Sequence, residues 1–347
     1  MDVDRYHRQV LLPQIGPAGQ ARLAASRVLL VGCGALGGVV AEQLVRAGVG
    51  FLRVADRDVV EWTNLQRQVL FDECDARDGT PKAIAAAQRL GRINSSVTVE
   101  PVVADVHSGN VESLATAAGR TVDLIADGTD NVETRYLIND VAVKCGIPWV
   151  YGACVGTQGR VMPVIPLRTA CLRCVFPNPP AGSDLPTCDT AGVLGPVAAV
   201  VASMQSIAAI QLLGGRAQDV RAELWSADLW AGRATTFNVQ RQADCPACGR
   251  REFEFLSRPT GQATTLCGRR SVQVRPAAGD ARLDLAAAAR KLSGVGPVQQ
   301  TQFLVRCRLE REQTPLELTL FADGRMIVSG TTDRDNARSI YARYVGT

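Results

Sequence analysis

The first sustained apolar run is the β-branched-rich stretch Arg27 to Val31 (RVLLV), which stops at Gly32. A short apolar run bounded by glycine reads as a strand buried on both faces, and the Ala/Leu/Val segment that follows to Gly48 has helical spacing. Further apolar runs at Phe51 to Ala55, Val97 to Val103, Asp123 to Ala126 and Pro148 to Ala153 alternate with helix-like stretches near 81–93, 108–118 and 131–145. Strands alternating with helices need crossover connections. The pattern therefore predicts an α/β fold, a Rossmann-like mixed, mostly parallel sheet with helices on both faces.

Three later segments depart from this alternation. Residues 177–190 (PNPPAGSDLPTCDT) are rich in proline and small polar residues and predict a long mobile loop. Val193 to Leu213 runs for 21 residues without a charge, long enough to cross a membrane. A buried helix is the better reading, because Pro196, Ser203, Gln205, Ser206 and Gln211 punctuate it. A lone span would also put Cys171 and Cys174 on one side of a bilayer and Cys245 and Cys248 on the other. Beyond a boundary near residue 260 the pattern becomes strand, helix (Leu283 to Leu292), strand, hairpin and final helix (Asp335 to Tyr344). The expected domains are thus 1–255 and a small α+β domain at 262–347.

Composition narrows the function classes. Of 347 residues, 46% are hydrophobic and 21% charged, an ordinary globular balance. A formal net charge of +4 is too small to make nucleic acid or an anionic membrane the expected partner. No secretory signal pattern opens the chain, so a cytoplasmic location is expected. Eleven irregularly spaced cysteines then read as thiols and metal ligands rather than a disulfide framework. With only His7 and His107 available, a histidine-based nucleophilic triad is a poor fit.

Gly32, Gly34 and Gly37, in Gly32-Cys33-Gly34-Ala35-Leu36-Gly37, suit a tight strand-to-helix turn. Such a turn lets backbone approach a phosphate at a helix N-terminus. Asp56, at the end of the next strand, is placed to accept hydrogen bonds from ribose hydroxyls. NAD, FAD and ATP all satisfy these two features. Asn64-Leu65-Gln66-Arg67-Gln68 and Pro81-Lys82 then add two cations and two amides, a density that hydride transfer does not need and an attacked phosphate chain does. Thr129-Asp130-Asn131 closes another strand, where Asp130 is a candidate Mg²⁺ ligand. Cys171-x-x-Cys174 and Cys245-Pro-Ala-Cys248, 70 residues apart, supply the four thiolates of a closed tetrahedral Zn²⁺ site; a redox CxxC is the competing reading.

These segments, together with Arg5-Tyr6-His7-Arg8-Gln9, resemble the ThiF/MoeB/HesA family, relatives of ubiquitin-activating enzymes, and run in that family's order over roughly residues 5–249. The resemblance implies an ATP-dependent adenylyltransferase acting on the Gly-Gly carboxylate of a ubiquitin-like sulfur-carrier protein (ThiS/MoaD-like). It implies that Gly32, Gly34, Ala35, Gly37, Asp56, Asn64, Arg67, Lys82, Asp130 and Asn131 bind nucleotide, with Asp130 serving Mg²⁺. It further implies a homodimer in which Arg8 reaches the partner's site, a structural zinc, and Cys188 as a cysteine able to capture acyl group or sulfur. Ala35 stands where many relatives have a further glycine. Cys188 as an incidental loop cysteine, a non-catalytic binding subunit, a nicotinamide-dependent dehydrogenase and a peptide substrate are the alternative readings. The thiamine, molybdopterin, cysteine and tRNA thiolation pathways are not distinguished.

Overall fold

A computed structural model describes residues 3–117, 119–179, 188–258, 263–266, 270–275, 283–309 and 315–345. The chain divides into two compact units, Met1–Pro259 and Thr260–Thr347.

In the first unit, helices α1 (Val3–Val10) and α2 (Gly16–Ala25) precede β1 (Arg27–Val31), α3 (Ala35–Ala47) and β2 (Phe51–Asp56). A 3-10 turn (Trp62–Asn64), α4 (Glu73–Asp78), α5 (Lys82–Ile93) and β3 (Thr98–Val103) follow. Next come α6 (Val111–Leu114), the two-stranded β4 (Thr116–Ala117) and β5 (Arg120–Thr121), then β6 (Leu124–Asp127), α7 (Val132–Cys145), β7 (Trp149–Val155) and β8 (Gln158–Val164). The unit continues through α8 (Leu172–Val175), α9 (Cys188–Ala191), α10 (Gly195–Leu213), β9 (Glu223–Asp228), β10 (Arg233–Asn238) and α11 (Glu254–Ser257).

The main sheet has eight strands in the order β10-β9-β8-β7-β6-β1-β2-β3. Neighbours from β7 to β3 are parallel, and β8, β9 and β10 extend the sheet antiparallel. Alternation along β1 sends Val28 and Leu30 into a core shared with α3, α5 and α10. Leu29 and Val31 face the opposite core, shared with α7 and the cysteine segments. Both faces are therefore covered, which is why these strands read as unbroken apolar runs.

The helix expected over 108–118 is only the four-residue α6, because Thr116 and Thr121 pair in the small hairpin that follows. Of the predicted loop at 177–190, residues 180–187 lie outside the described residues, and Cys188–Ala191 is helical. The uncharged segment is a continuous helix, α10, against α3, β7 and β8. Pro196 lies in its first turn, where a missing N–H is tolerated. Its polar residues make specific bonds: Gln205 Nε2 donates to the Asp127 and Val150 carbonyls, and Ser203 Oγ accepts from Gln43 Nε2 at 2.8 Å.

The second unit is a six-stranded antiparallel sheet, in the order β11 (Ala263–Leu266), β12 (Ser271–Val274), β16 (Met326–Ser329), β15 (Leu316–Phe321), β14 (Leu304–Leu309) and β13 (Val298–Gln300). Helices α12 (Leu285–Leu292) and α13 (Arg334–Tyr344) share its core with Val272, Leu318 and Val328. Asp284 and Asp333 cap these helices by accepting from backbone N–H groups in their first turns.

Candidate nucleotide and metal sites

The turn from β1 to α3 is built on three glycines, Gly32 and Gly128 just past two strand ends and Gly37 in the first turn of α3. Gly32 has φ +86°, and a β-carbon there would fall 2.7 Å from the Gly128 carbonyl oxygen. A β-carbon on Gly37 would overlap the Gly32 carbonyl oxygen, and one on Gly128 would overlap the same oxygen. Gly34 differs, because the nearest atom to its added β-carbon is Gln68 Nε2 at 3.7 Å. No side chain caps α3 at Gly34, so the N-terminal N–H groups of a 13-residue helix face an open approach. That is a cradle suited to phosphate. Ala35 is the first residue of the helix.

Charged side chains gather at the same edge. The buried Asp56 accepts from Cys33 N at 2.6 Å and Asp58 N at 2.7 Å, which fixes its carboxylate beside the glycine turn. Lys82, only 4% exposed, opens α5 and places its Nζ 3.1 Å from Asp58 Oδ2. Burial works against the ammonium, but Asp58, Asp56 and Asp130 outweigh it and hold Lys82 above its ordinary value. Asp58, which sequence reasoning missed, is thus the direct partner of Lys82; its signal was a second aspartate two residues after Asp56. Burial, with Asp56 beside it, pushes the Cys33 thiol up and leaves it an inert core residue.

Asn64 is buried and its Oδ1 accepts from Glu61 N at 3.0 Å, holding the 3-10 turn. Arg67 donates from Nη1 to the Thr63 carbonyl at 2.8 Å, and its backbone packs under Gly195 at the start of α10. Gln68, adjacent to Arg67 and buried, is the side chain nearest Gly34.

Asp130 is exposed and lies within electrostatic reach of both Lys82 and Arg135. An exposed carboxylate beside phosphate donors suits Mg²⁺, which retains much of its water. Asn131 is committed differently: its Oδ1 caps α7 by accepting from Thr134 N at 3.1 Å. Behind this loop lies a pair the sequence reading did not single out. Asp127, fully buried, meets Arg135 Nε at 3.2 Å and accepts from both Thr129 N and Thr129 Oγ1 at 2.9 Å. The sequence clue was an aspartate ending an otherwise apolar strand.

Arg8 is exposed on α1, which is anchored by its neighbours. The Tyr6 ring occupies the space a β-carbon on Gly48 would need, Tyr6 OH accepts from Asn94 Nδ2 at 2.8 Å, and Gln9 Nε2 donates to the Ala47 carbonyl at 3.0 Å. Cys188 begins the short α9, and its side chain lies outside the described residues.

The four cysteines Cys171, Cys174, Cys245 and Cys248 converge, with all sulfurs within 4.8 Å of one another. Three Sγ separations are 3.8, 3.6 and 3.4 Å, for Cys171–Cys174, Cys171–Cys245 and Cys174–Cys248. Zinc–sulfur bonds of about 2.3 Å in a tetrahedron put sulfurs about 3.8 Å apart, so the cluster fits that ion. Gln242 N, 3.4 Å from Cys174 Sγ, and Asn139 Oδ1, accepting from Leu172 N at 2.9 Å, brace the knuckle from outside.

A glycine cradle, a strand-end aspartate and a buried lysine thus share one Rossmann-like unit with four cysteines that could hold a metal ion. The chain belongs to the ThiF family, whose model matches residues 6–247. It is 42% identical to the sulfur carrier protein ThiS adenylyltransferase of Bacillus subtilis (strain 168), over 99% of both chains. It is 40% identical to the SAMP-activating enzyme E1 of Haloferax volcanii over 71% of this chain and 89% of that protein. Among solved structures, E. coli MccB with MccA-N7isoASN aligns with a TM-score of 0.64 at 21% identity, covering 72% of this chain and 75% of that one, a likeness of fold.

Proposed function

We propose that this chain is an adenylyltransferase that activates the C-terminal carboxylate of a ubiquitin-like sulfur-carrier protein with ATP, releasing pyrophosphate. The observation that carries the reading is the grouping of Lys82 with Asp56, Asp58 and Asp130 beside the uncapped N-terminus of α3. Support for a ThiS-like carrier comes from the full-length match to the B. subtilis adenylyltransferase, which extends through the second unit, whereas the H. volcanii match covers 71% of the chain.

The chemistry sets the electrostatic requirement. A carboxylate must approach the α-phosphate of ATP, anion against anion, and their repulsion grows as water leaves. Arg67 and Lys82 supply fixed positive charge in place of that water, with the α3 N–H groups beneath the phosphates and Asp56 on the ribose. When bound at Asp130, Mg²⁺ adds charge neutralisation on the triphosphate. The carrier carboxylate attacks the α-phosphorus and pyrophosphate departs. No general base is needed, because a C-terminal carboxyl is already ionised at neutral pH.

Arg8 completes the site from a second copy of the chain. Val200, Met204 and Ile207 lie at helical spacing on α10 and are exposed, an apolar stripe suited to a homodimer contact. Cys188 is the residue proposed to capture the activated acyl group or sulfur after adenylation. The cysteine knuckle holds Zn²⁺ as a structural ion.

Carrier-dependent ATP–pyrophosphate exchange tests the reading. Exchange is expected with a carrier ending in Gly-Gly and not with one lacking the last glycine; exchange indifferent to the carrier terminus would refute it.

A further inference from the structure

Asp130 is exposed, yet the residue before it is held on both sides. The Thr129 N–H and hydroxyl donate to the buried Asp127 carboxylate, each at 2.9 Å. The Thr129 carbonyl accepts from Arg135 Nη2 at 2.6 Å. The same guanidinium reaches Asp127 Oδ2 through Nε at 3.2 Å and the Gly152 carbonyl through Nη2 at 3.2 Å. Its carbon sits 5.5 Å from the centre of the Tyr151 ring. On the far side of Asp130, Asn131 is locked as the cap of α7.

We propose that Arg135 is a positioning residue for the adenylation reaction, acting through Thr129 to set Asp130 against the nucleotide. The inference rests on the function proposed above. A buried ion pair adds little stability that well-packed apolar residues could not supply. Here the hydrogen bonds of the guanidinium instead tie the strand end that carries Asp130 (Asp127 and Thr129) to β7 (Gly152). Only a planar fork of donors serves a carboxylate and two carbonyls at once; a lysine in its place keeps the charge and loses that geometry.

The test is a double-mutant cycle on the full chain. Binding of α,β-methylene ATP with Mg²⁺ is measured by calorimetry for wild type, Arg135→Gln, Asp130→Asn and the double variant, with melting temperatures alongside. If Arg135 acts through Asp130, Arg135→Gln weakens binding roughly tenfold in the wild-type background and less than about twofold in Asp130→Asn. Arg135→Lys should recover part of the loss, and it carries the same cycle if Arg135→Gln does not fold. Equal losses in both backgrounds, or none in either, overturn the proposal. Failure of wild type to bind the analogue at all instead overturns the adenylation reading itself.

Discussion

Gly37 packs so closely on Gly32 that a β-carbon at residue 37 would overlap the Gly32 carbonyl oxygen. Two residues away, a β-carbon at Gly34 meets nothing nearer than Gln68 Nε2 at 3.7 Å. One glycine closes the helix onto the strand, and the other leaves room for a ligand.

These two positions should therefore fail differently. Gly37→Ala forces α3 off β1 and is expected to cost about 1–3 kcal/mol of stability. Gly34→Ala should leave the melting temperature within a few degrees of wild type while weakening ATP binding, because its methyl group occupies the phosphate approach. Denaturation and ATP-analogue binding on both variants check this. A Gly34→Ala protein that binds ATP normally would place the phosphates elsewhere.

Lys82 is buried between carboxylates, so removing its charge leaves Asp56 and Asp58 facing each other. Lys82→Ala is expected to lose roughly 1–2 kcal/mol of stability, below the roughly 3–5 kcal/mol of a fully buried broken pair because solvent screens the partly exposed Asp58. ATP affinity should fall at least about tenfold, the scale of one lost charge-assisted contact. Wild-type affinity in this variant would remove Lys82 from the site.

The four-thiol cluster predicts one zinc per chain. Cys174→Ser should purify with reduced zinc and a lower melting temperature, and prolonged chelation of wild type should lower stability before it lowers ATP affinity. Metal analysis showing no zinc, together with a melting temperature insensitive to chelator, would return the pair of CxxC motifs to the redox reading.

Asp140 gives the protein a pH-dependent stability term. Burial raises its carboxyl to about 6, against hydrogen bonds from the Phe255 and Leu256 N–H groups and the charge of Arg173. In the unfolded chain the carboxyl titrates near about 4, so between these values the native state binds the extra proton. Its contribution is present below about pH 4 and is lost as the pH rises to about 6, a total of roughly 2–3 kcal/mol. The stability of Asp140→Asn relative to wild type should therefore grow across that window and stay constant above it. A difference that does not change between pH 4 and 7 would contradict the assignment.

Much of this was legible along the chain because it is local. The RVLLV run, the glycine turn and Asp56 lie within one strand–helix–strand unit, where apolar period and turn chemistry act over a few residues. The CxxC pairs span a long gap, yet the fixed ligand demands of zinc made their meeting predictable. What stayed hidden depends on who meets whom in space. Asp58 reads as a loop acid until Lys82 arrives from α5, and Asp127 as a strand end until Arg135 turns back one helical turn into α7. Asn139 and Asp140 read as a polar break in α7, but they hold Leu172 and Phe255, 33 and 115 residues away. The helix expected over 108–118 is cut short to Val111–Leu114 because the pairing of Thr116 with Thr121 outweighs local helical spacing beyond it.

Intact-mass analysis of the carrier after incubation with this protein and Mg-ATP tests the central claim most directly. A carrier ending in Gly-Gly should gain the mass of AMP less water, only with ATP present, and hydroxylamine should expel AMP from it and leave the carrier's C-terminal hydroxamate. An unmodified carrier alongside a folded protein that binds ATP would contradict carrier adenylation, whatever the zinc content proves to be.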